Sequence, residues 1–246
     1  MPAPPLLWTG EHGADGTTIT PANSGGVGSD AFQIVTSTPT FSTLQAHSGT
    51  KSMRINQGAS FVAKSATWTG LGSITADLWS RVYIFMGALS SVNGPQLFSF
   101  LNAAGAQCAD LVIQNSTGTP FVRMRNAANS TVLTGAVNAV AGQWIRVEMR
   151  VRAATVNGQL EFRLFNNADS TVASDTAVVT NAVLAANVDQ IRPGHGNTGP
   201  TNVDWFFDDI AVSTAGWIGP SVSTATRRLP IRRTMPQVLT NEARMN

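Results

Sequence analysis

The stretch Trp144-Ile145-Arg146-Val147-Glu148-Met149-Arg150-Val151-Arg152 alternates apolar and charged residues almost without a break. Successive side chains of a β-strand point to opposite faces, so Ile145, Val147, Met149 and Val151 share a buried side only if the run is a strand. Arg146, Glu148, Arg150 and Arg152 then form a ladder on the other face, expected to be solvated. Val156-Asn157-Gly158 follows as an Asn-Gly turn signal, and residues 159–165 resume the alternation, so the pair reads as a β-hairpin. Further strands are expected at 51–56, 59–64, 77–86, 96–101, 110–114, 121–126, 190–193 and 203–213, separated by Gly, Asn, Ser and Pro clusters. No convincing amphipathic helix competes with them. Residues 174–187, rich in Ala and Val, are ambiguous between helix and strand.

A chain of 246 residues reading as strands throughout is long enough for one large sandwich with its own core. The expected class is all-β, two stacked antiparallel sheets. The expected division is a Pro-rich segment at 1–5, a β-sandwich at 6–220 and an extended basic arm at 221–246. The arm holds five arginines against one glutamate, which leaves the body slightly acidic although the whole chain has a net charge of +2. A nucleic-acid footprint spread over the body is therefore not expected. The lone Cys108 excludes an internal disulfide and a cysteine metal cage, and is expected to be buried. No apolar run is long enough for a membrane span, and the residues from Met1 to Trp8 lack the basic region and apolar core of a secretory signal.

Several segments together resemble one family. Ala46-His47-Ser48-Gly49-Thr50-Lys51-Ser52-Met53-Arg54-Ile55, Leu78-Trp79-Ser80-Arg81-Val82-Tyr83, Gly142-Gln143-Trp144-Ile145-Arg146-Val147-Glu148 and the closing Trp205-Phe206-Phe207-Asp208-Asp209-Ile210-Ala211-Val212-Ser213 are similar to strands of concanavalin A-like and laminin G-like jelly rolls. The resemblance covers about residues 6 to 220. It implies two curved antiparallel sheets, often with a carbohydrate site on the concave face or at the rim loops. The closing segment, with Gly216-Trp217-Ile218-Gly219-Pro220, looks most like variants in bacteriophage virion proteins. Fourteen arginines against two lysines agree with a GC-rich genome. This resemblance implies a capsid decoration or minor tail protein on the virion surface, with a major capsid or tail protein as partner, several copies in an assembly and a possible bacterial surface glycan as ligand.

Catalysis is not expected. Glycosidases need two carboxyls about 5–9.5 Å apart. Glu148 and Glu161 sit on separate strands, and Glu148 is flanked by arginines. Asp208 and Asp209 are expected on opposite faces, as a weak calcium candidate or as structural hydrogen-bond acceptors; no other cofactor is expected. Gly194-His195-Gly196-Asn197-Thr198-Gly199 matches a dinucleotide-binding pattern in letters only, since Pro193 precedes it and no helix follows. It reads as a rim turn where His195 and Asn197 could touch a ligand. Trp68, beside the Thr69-Gly70-Leu71-Gly72 turn, is the aromatic residue best placed to stack on a sugar. In the arm, Arg227, Arg228, Leu229, Ile231, Arg232 and Arg233 surround Pro230 as two guanidinium pairs around an apolar centre. Docking on an acidic protein surface is their expected role, ahead of nucleic acid.

Overall fold

A computed structural model of the protein describes residues 3–59, 61–88, 95–115, 119–128, 132–196 and 202–221. Arg227, Arg228, Leu229, Ile231, Arg232 and Arg233 of the expected arm lie outside these residues, as does Asn197.

The first strands are short: β1 (Leu6–Trp8), β2 (Ile34–Thr36), β3 (Thr40–Ser42), β4 (Ser52–Asn56) and β5 (Lys64–Thr67). The long ones follow as β6 (Asp77–Met86), β7 (Gln96–Leu101), β8 (Gln107–Asn115), β9 (Pro120–Asn126), β10 (Val132–Asn138), β11 (Trp144–Arg152), β12 (Gly158–Phe165), β13 (Asp175–Ala182), β14 (Gln190–His195) and β15 (Asp204–Ser213). They make two antiparallel sheets. The larger runs β13-β12-β11-β6-β15-β4-β3, with β1 pairing the second half of β15, and the smaller runs β10-β9-β8-β7-β14-β5-β2. This is a jelly-roll sandwich of the concanavalin A-like kind, as the sequence led us to expect.

The alternation explains the packing. Leu78, Val82 and Ile84 of β6, the four apolar residues of β11, Leu160, Phe162 and Leu164 of β12, and Trp205, Phe207 and Ile210 of β15 point inward from the larger sheet. Phe98, Phe100, Leu111, Ile113, Val122, Met124 and Ile191 meet them from the smaller one. Fully burying each such side chain contributes roughly 1.5–3 kcal/mol. At one end Trp8, Phe32, Phe41 and Trp68 form an aromatic cluster, with ring centroids 4.8–6.3 Å apart in successive pairs.

The 144–152 and 159–165 hairpin forms as expected, with Asn157 at a φ of 60° in its turn. One expectation needs correction and one ambiguity is resolved. The strand expected at 59–64 begins only at Lys64, because the Gln57 amide donates to Val62 O at 2.6 Å and ties the intervening segment into a loop. The ambiguous 174–187 stretch contains a strand, β13, which pairs along β12 and is the edge of the larger sheet.

Candidate ligand-binding site

The outer face of the larger sheet carries most of the charged residues that the sequence singles out, and their pairing locks them. The first half of the ladder on β11, Arg146 and Glu148, is not solvated, while Arg150 and Arg152 remain partly exposed. Glu148 is 2% exposed, and its Oε1 lies 2.9 Å from Arg146 Nε in an ion pair whose angle falls short of a hydrogen bond. Arg146 is buried because the chain after β12 folds over it. Its guanidinium sits 3.7 Å from the Phe165 ring centroid, and its two Nη groups donate to Ala168 O and Ser170 O. Such lids follow strand ends, which alternation does not predict. Glu161 pairs across the ladder with Arg150, not with Glu148, and Arg150 and Arg152 both fork onto Asp77 at 2.7–3.0 Å. Burial would raise the Asp77 carboxyl, but the two guanidinium groups outweigh it and hold it below the ordinary carboxylate range.

Asp208 and Asp209 do not diverge as adjacent strand residues should. An extra residue in β15 makes a bulge between Asp208 and Ala211, and Asp209 takes a φ of 44°. Both carboxylates therefore reach the same loop. Asp208 Oδ2 accepts from His47 N at 2.9 Å and Ser48 N at 3.3 Å, and Oδ1 accepts from Asp209 N at 2.8 Å. Asp209 accepts from Ser48 Oγ at 2.8 Å and Ser221 Oγ at 2.8 Å, and its Oδ2 lies 2.7 Å from His47 Nδ1. Burial and the neighbouring Asp209 charge push Asp208 up. Burial acts the same way on Asp209, but the donors from His47, Ser48 and Ser221 prevail and hold it down. All four oxygens are engaged within the protein, which leaves the calcium candidate without a fitting ligand set. No group of three or more His, Cys, Asp or Glu among the described residues converges to hold a metal ion.

The two expected sugar-contacting residues that can be placed are not at the surface. Trp68 is 0% exposed: it packs on Phe32, and its indole N–H donates to Asp30 O at 3.1 Å. The turn after it is tied down on Asp189, whose carboxylate accepts from Gly70 N and Gly72 N at 3.2 Å each. His195 is likewise 0% exposed, because β14 continues through Gly194 and His195 to pair with β5 and turns the ring toward Trp205 and Phe207. β14 ends at His195, and Gly196 follows it.

Two depressions mark the larger sheet's side. One, of about 830 Å³, is walled by Leu7, Val27, Trp217, Ile218 and Pro220. The other, of about 530 Å³, lies between His47, Trp144, Asn166 and Asp169. The smaller sheet has a different surface. Its register aligns Arg192 of β14, Ser99 of β7, Asp110 of β8 and Arg125 of β9 in one row across four strands. Gln96, Val112 and Arg123 form the next row. Gln96, Ser99 and Asp110 are a buried polar floor, while Arg123, Arg125 and Arg192 stand half-buried above it. Asp110 takes both of its bonds from the Arg125 fork, at 3.0 and 2.5 Å, and Gln96 Nε2 donates to Gln107 Oε1 at 2.6 Å. Sequence reasoning missed this site. The one local signal was Phe121-Val122-Arg123-Met124-Arg125, whose alternation places both arginines on the polar face of β9.

Solved structures confirm the fold. A cellulose-induced protein, Cip1, superposes with a TM-score of 0.51 at 15% identity, over 75% of this chain and 88% of its own. The binding domain of botulinum neurotoxin serotype D gives 0.55 at 11% identity over 85% of this chain, and the receptor-binding domain of type G gives 0.51 at 8% over 89%. This chain spans about half the length of those two, 47% and 48%. No protein-family model matches the sequence. No curated protein matches it either. At these identities the likeness is one of fold: a two-sheet antiparallel jelly-roll sandwich.

Proposed function

We propose that the protein is a carbohydrate-binding module without catalytic activity, and that a glycan lies across the outer face of the smaller sheet. One observation carries this reading: four strands set Arg192, Ser99, Asp110 and Arg125 in a single row, a polar floor with half-exposed forks on a sandwich that is otherwise apolar inside. Sugars present dense hydroxyl donors and acceptors, and a planar row of guanidinium, hydroxyl and amide groups matches them. Binding without turnover is supported by the state of the acids. Glu148, Glu161, Asp77 and Asp110 are each engaged with arginine, and Asp208 and Asp209 are spent on the His47 loop. The test is a glycan array probed with the whole chain, followed by calorimetry on the glycans that bind. Gln107→Ala, which removes the hydrogen-bond partner of the floor residue Gln96, should weaken binding several-fold without changing the fold. A chain that binds no glycan would refute the reading.

We further propose that this module is displayed on a virion surface, in several copies, with the extension after Ser221 anchoring it to a capsid or tail protein. The resemblance of the closing segment to phage virion proteins and the paired arginines of the extension support this. Ser221 itself belongs with the body, since its N–H donates to Tyr83 Oη at 2.8 Å. A chain ending at Ser221 should fold and should fail to join particles; normal incorporation would remove the anchor from consideration.

A further inference from the structure

We infer that the glycan taken by the smaller sheet is acidic, a chain bearing carboxylate or sulfate groups that Arg123 and Arg192 pair with. This rests on the carbohydrate reading above and narrows it to a ligand class. Among the described residues, three guanidinium groups stand over the face against a single carboxylate, and that carboxylate is already used. Asp110 is 0% exposed, and Arg125 occupies both its oxygens. Arg123 has no hydrogen bond or ion pair to any described residue, and its Nε is buried. Among the described residues Arg192 reaches only neutral oxygens at long range, Ser99 Oγ at 3.3 Å and Gln96 Oε1 at 3.5 Å, and its Nε is also buried without a partner.

An arginine drawn partly out of water without an opposite charge is costly unless something supplies one. Burial lowers both Arg123 and Arg192 from the ordinary guanidinium value, and on Arg123 the adjacent Arg125 adds to it. A neutral hydroxyl can accept from these forks but does not neutralise them. A carboxylate or sulfate does both, and takes two parallel N–H bonds from one fork. The placement suits an extended chain. Arg192 and Arg125 are three ladder steps apart, about 14 Å at ordinary strand spacing. Arg123 is two residues along the same strand. A polymer with repeated charges can follow this spacing from Arg192 to Arg123. Nucleic acid is less well matched, since among the described residues Phe121 is the one aromatic side chain on the polar face of these rows and bases bind such surfaces by stacking.

The experiment uses the full chain with Arg227, Arg228, Arg232 and Arg233 replaced by Gln, so that the extension contributes no polyanion binding of its own. Polygalacturonate oligosaccharides, dextran sulfate, neutral dextran and single-stranded DNA are titrated at low and high salt. The expected result is salt-sensitive binding of one or both acidic glycans, weakened roughly tenfold or more by Arg123→Gln with Arg192→Gln. The thermal midpoint should be unchanged or raised, because an uncompensated charge is removed. Arg192→Lys, which keeps the charge and loses the fork, should give an intermediate affinity and serves if the double variant does not fold. Binding of neutral dextran as tight as that of the acidic chains would sink the acidic assignment and leave the carbohydrate reading standing. Failure to bind any glycan would sink both. Acidic binding that survives both arginine substitutions, or DNA bound as tightly as polygalacturonate, would also overturn the inference.

Discussion

Asp110 shows how much one buried acid can organise. It has no solvent exposure and neutralises one of three neighbouring guanidinium groups. Asp110→Ala should therefore cost about 3 kcal/mol, because it leaves Arg125 half-buried and unpaired, and denaturant unfolding would measure it. A free energy within error of the parent would show that water replaces the carboxylate. His195 is a different kind of buried polar residue. Burial among aromatic rings, helped by the nearby Lys64 charge, pushes its imidazole down to about 3. In the unfolded chain it titrates near 6.5. Between those values the unfolded chain takes up a proton that the folded one refuses, so stability is full above the upper value and falls as pH drops through the window. His195→Gln should flatten the fall, whose slope from this residue is at most about 1.4 kcal/mol per pH unit. Unfolding free energies at pH 7 and pH 4 for both proteins provide the check.

At the level of elements, the edges of the two sheets are joined by a side chain. Asp175 at the start of β13 accepts from Ala136 N at 2.7 Å and Val137 N at 3.0 Å, where the register of β10 shifts. The bulge frees two backbone donors from the β9–β10 ladder, and Asp175 satisfies them from the opposite sheet. Gly135 is required beside it, since a Cβ there would stand 2.5 Å from Asp175 Oδ2. Asp175→Ala should cost roughly 1–2 kcal/mol and raise hydrogen exchange at Ala136 and Val137 before the rest of β10; uniform exchange along the strand would argue against the clasp. Most of the long strands were legible from sequence because their alternation is local and sustained: 77–86 and 96–101 match β6 and β7 end to end, whereas β10 was not anticipated and β13 was ambiguous. The three-residue strands β1, β2 and β3 were not, because so few residues carry no period. Nor was the β15 bulge, which places Asp208 and Asp209 on one loop when strict alternation would separate them.

For the whole molecule, one core running through both sheets predicts that the described body unfolds as a unit. Cys108 offers a probe. It is buried, its Sγ donates to Asn187 O at 3.0 Å, and burial pushes the thiol up to about 11. A thiol reagent at neutral pH should label it only at the rate of global unfolding, so labelling and loss of tryptophan fluorescence should coincide in denaturant; faster labelling would reveal local opening of β8. The sequence by itself determined that the chain makes a two-sheet sandwich and which residues of its long strands face inward, because alternation is a property of neighbours along the chain. It did not determine which polar residues meet solvent. Trp68 and His195 were covered by loops and by strand continuation, Arg146 by the segment after β12. Arg192, Ser99, Asp110 and Arg125 came together only through the register of strands distant in sequence. Strand pairing and the loops that close over sheet faces are decided by the packing of the whole, and that is where the ligand-binding face arose.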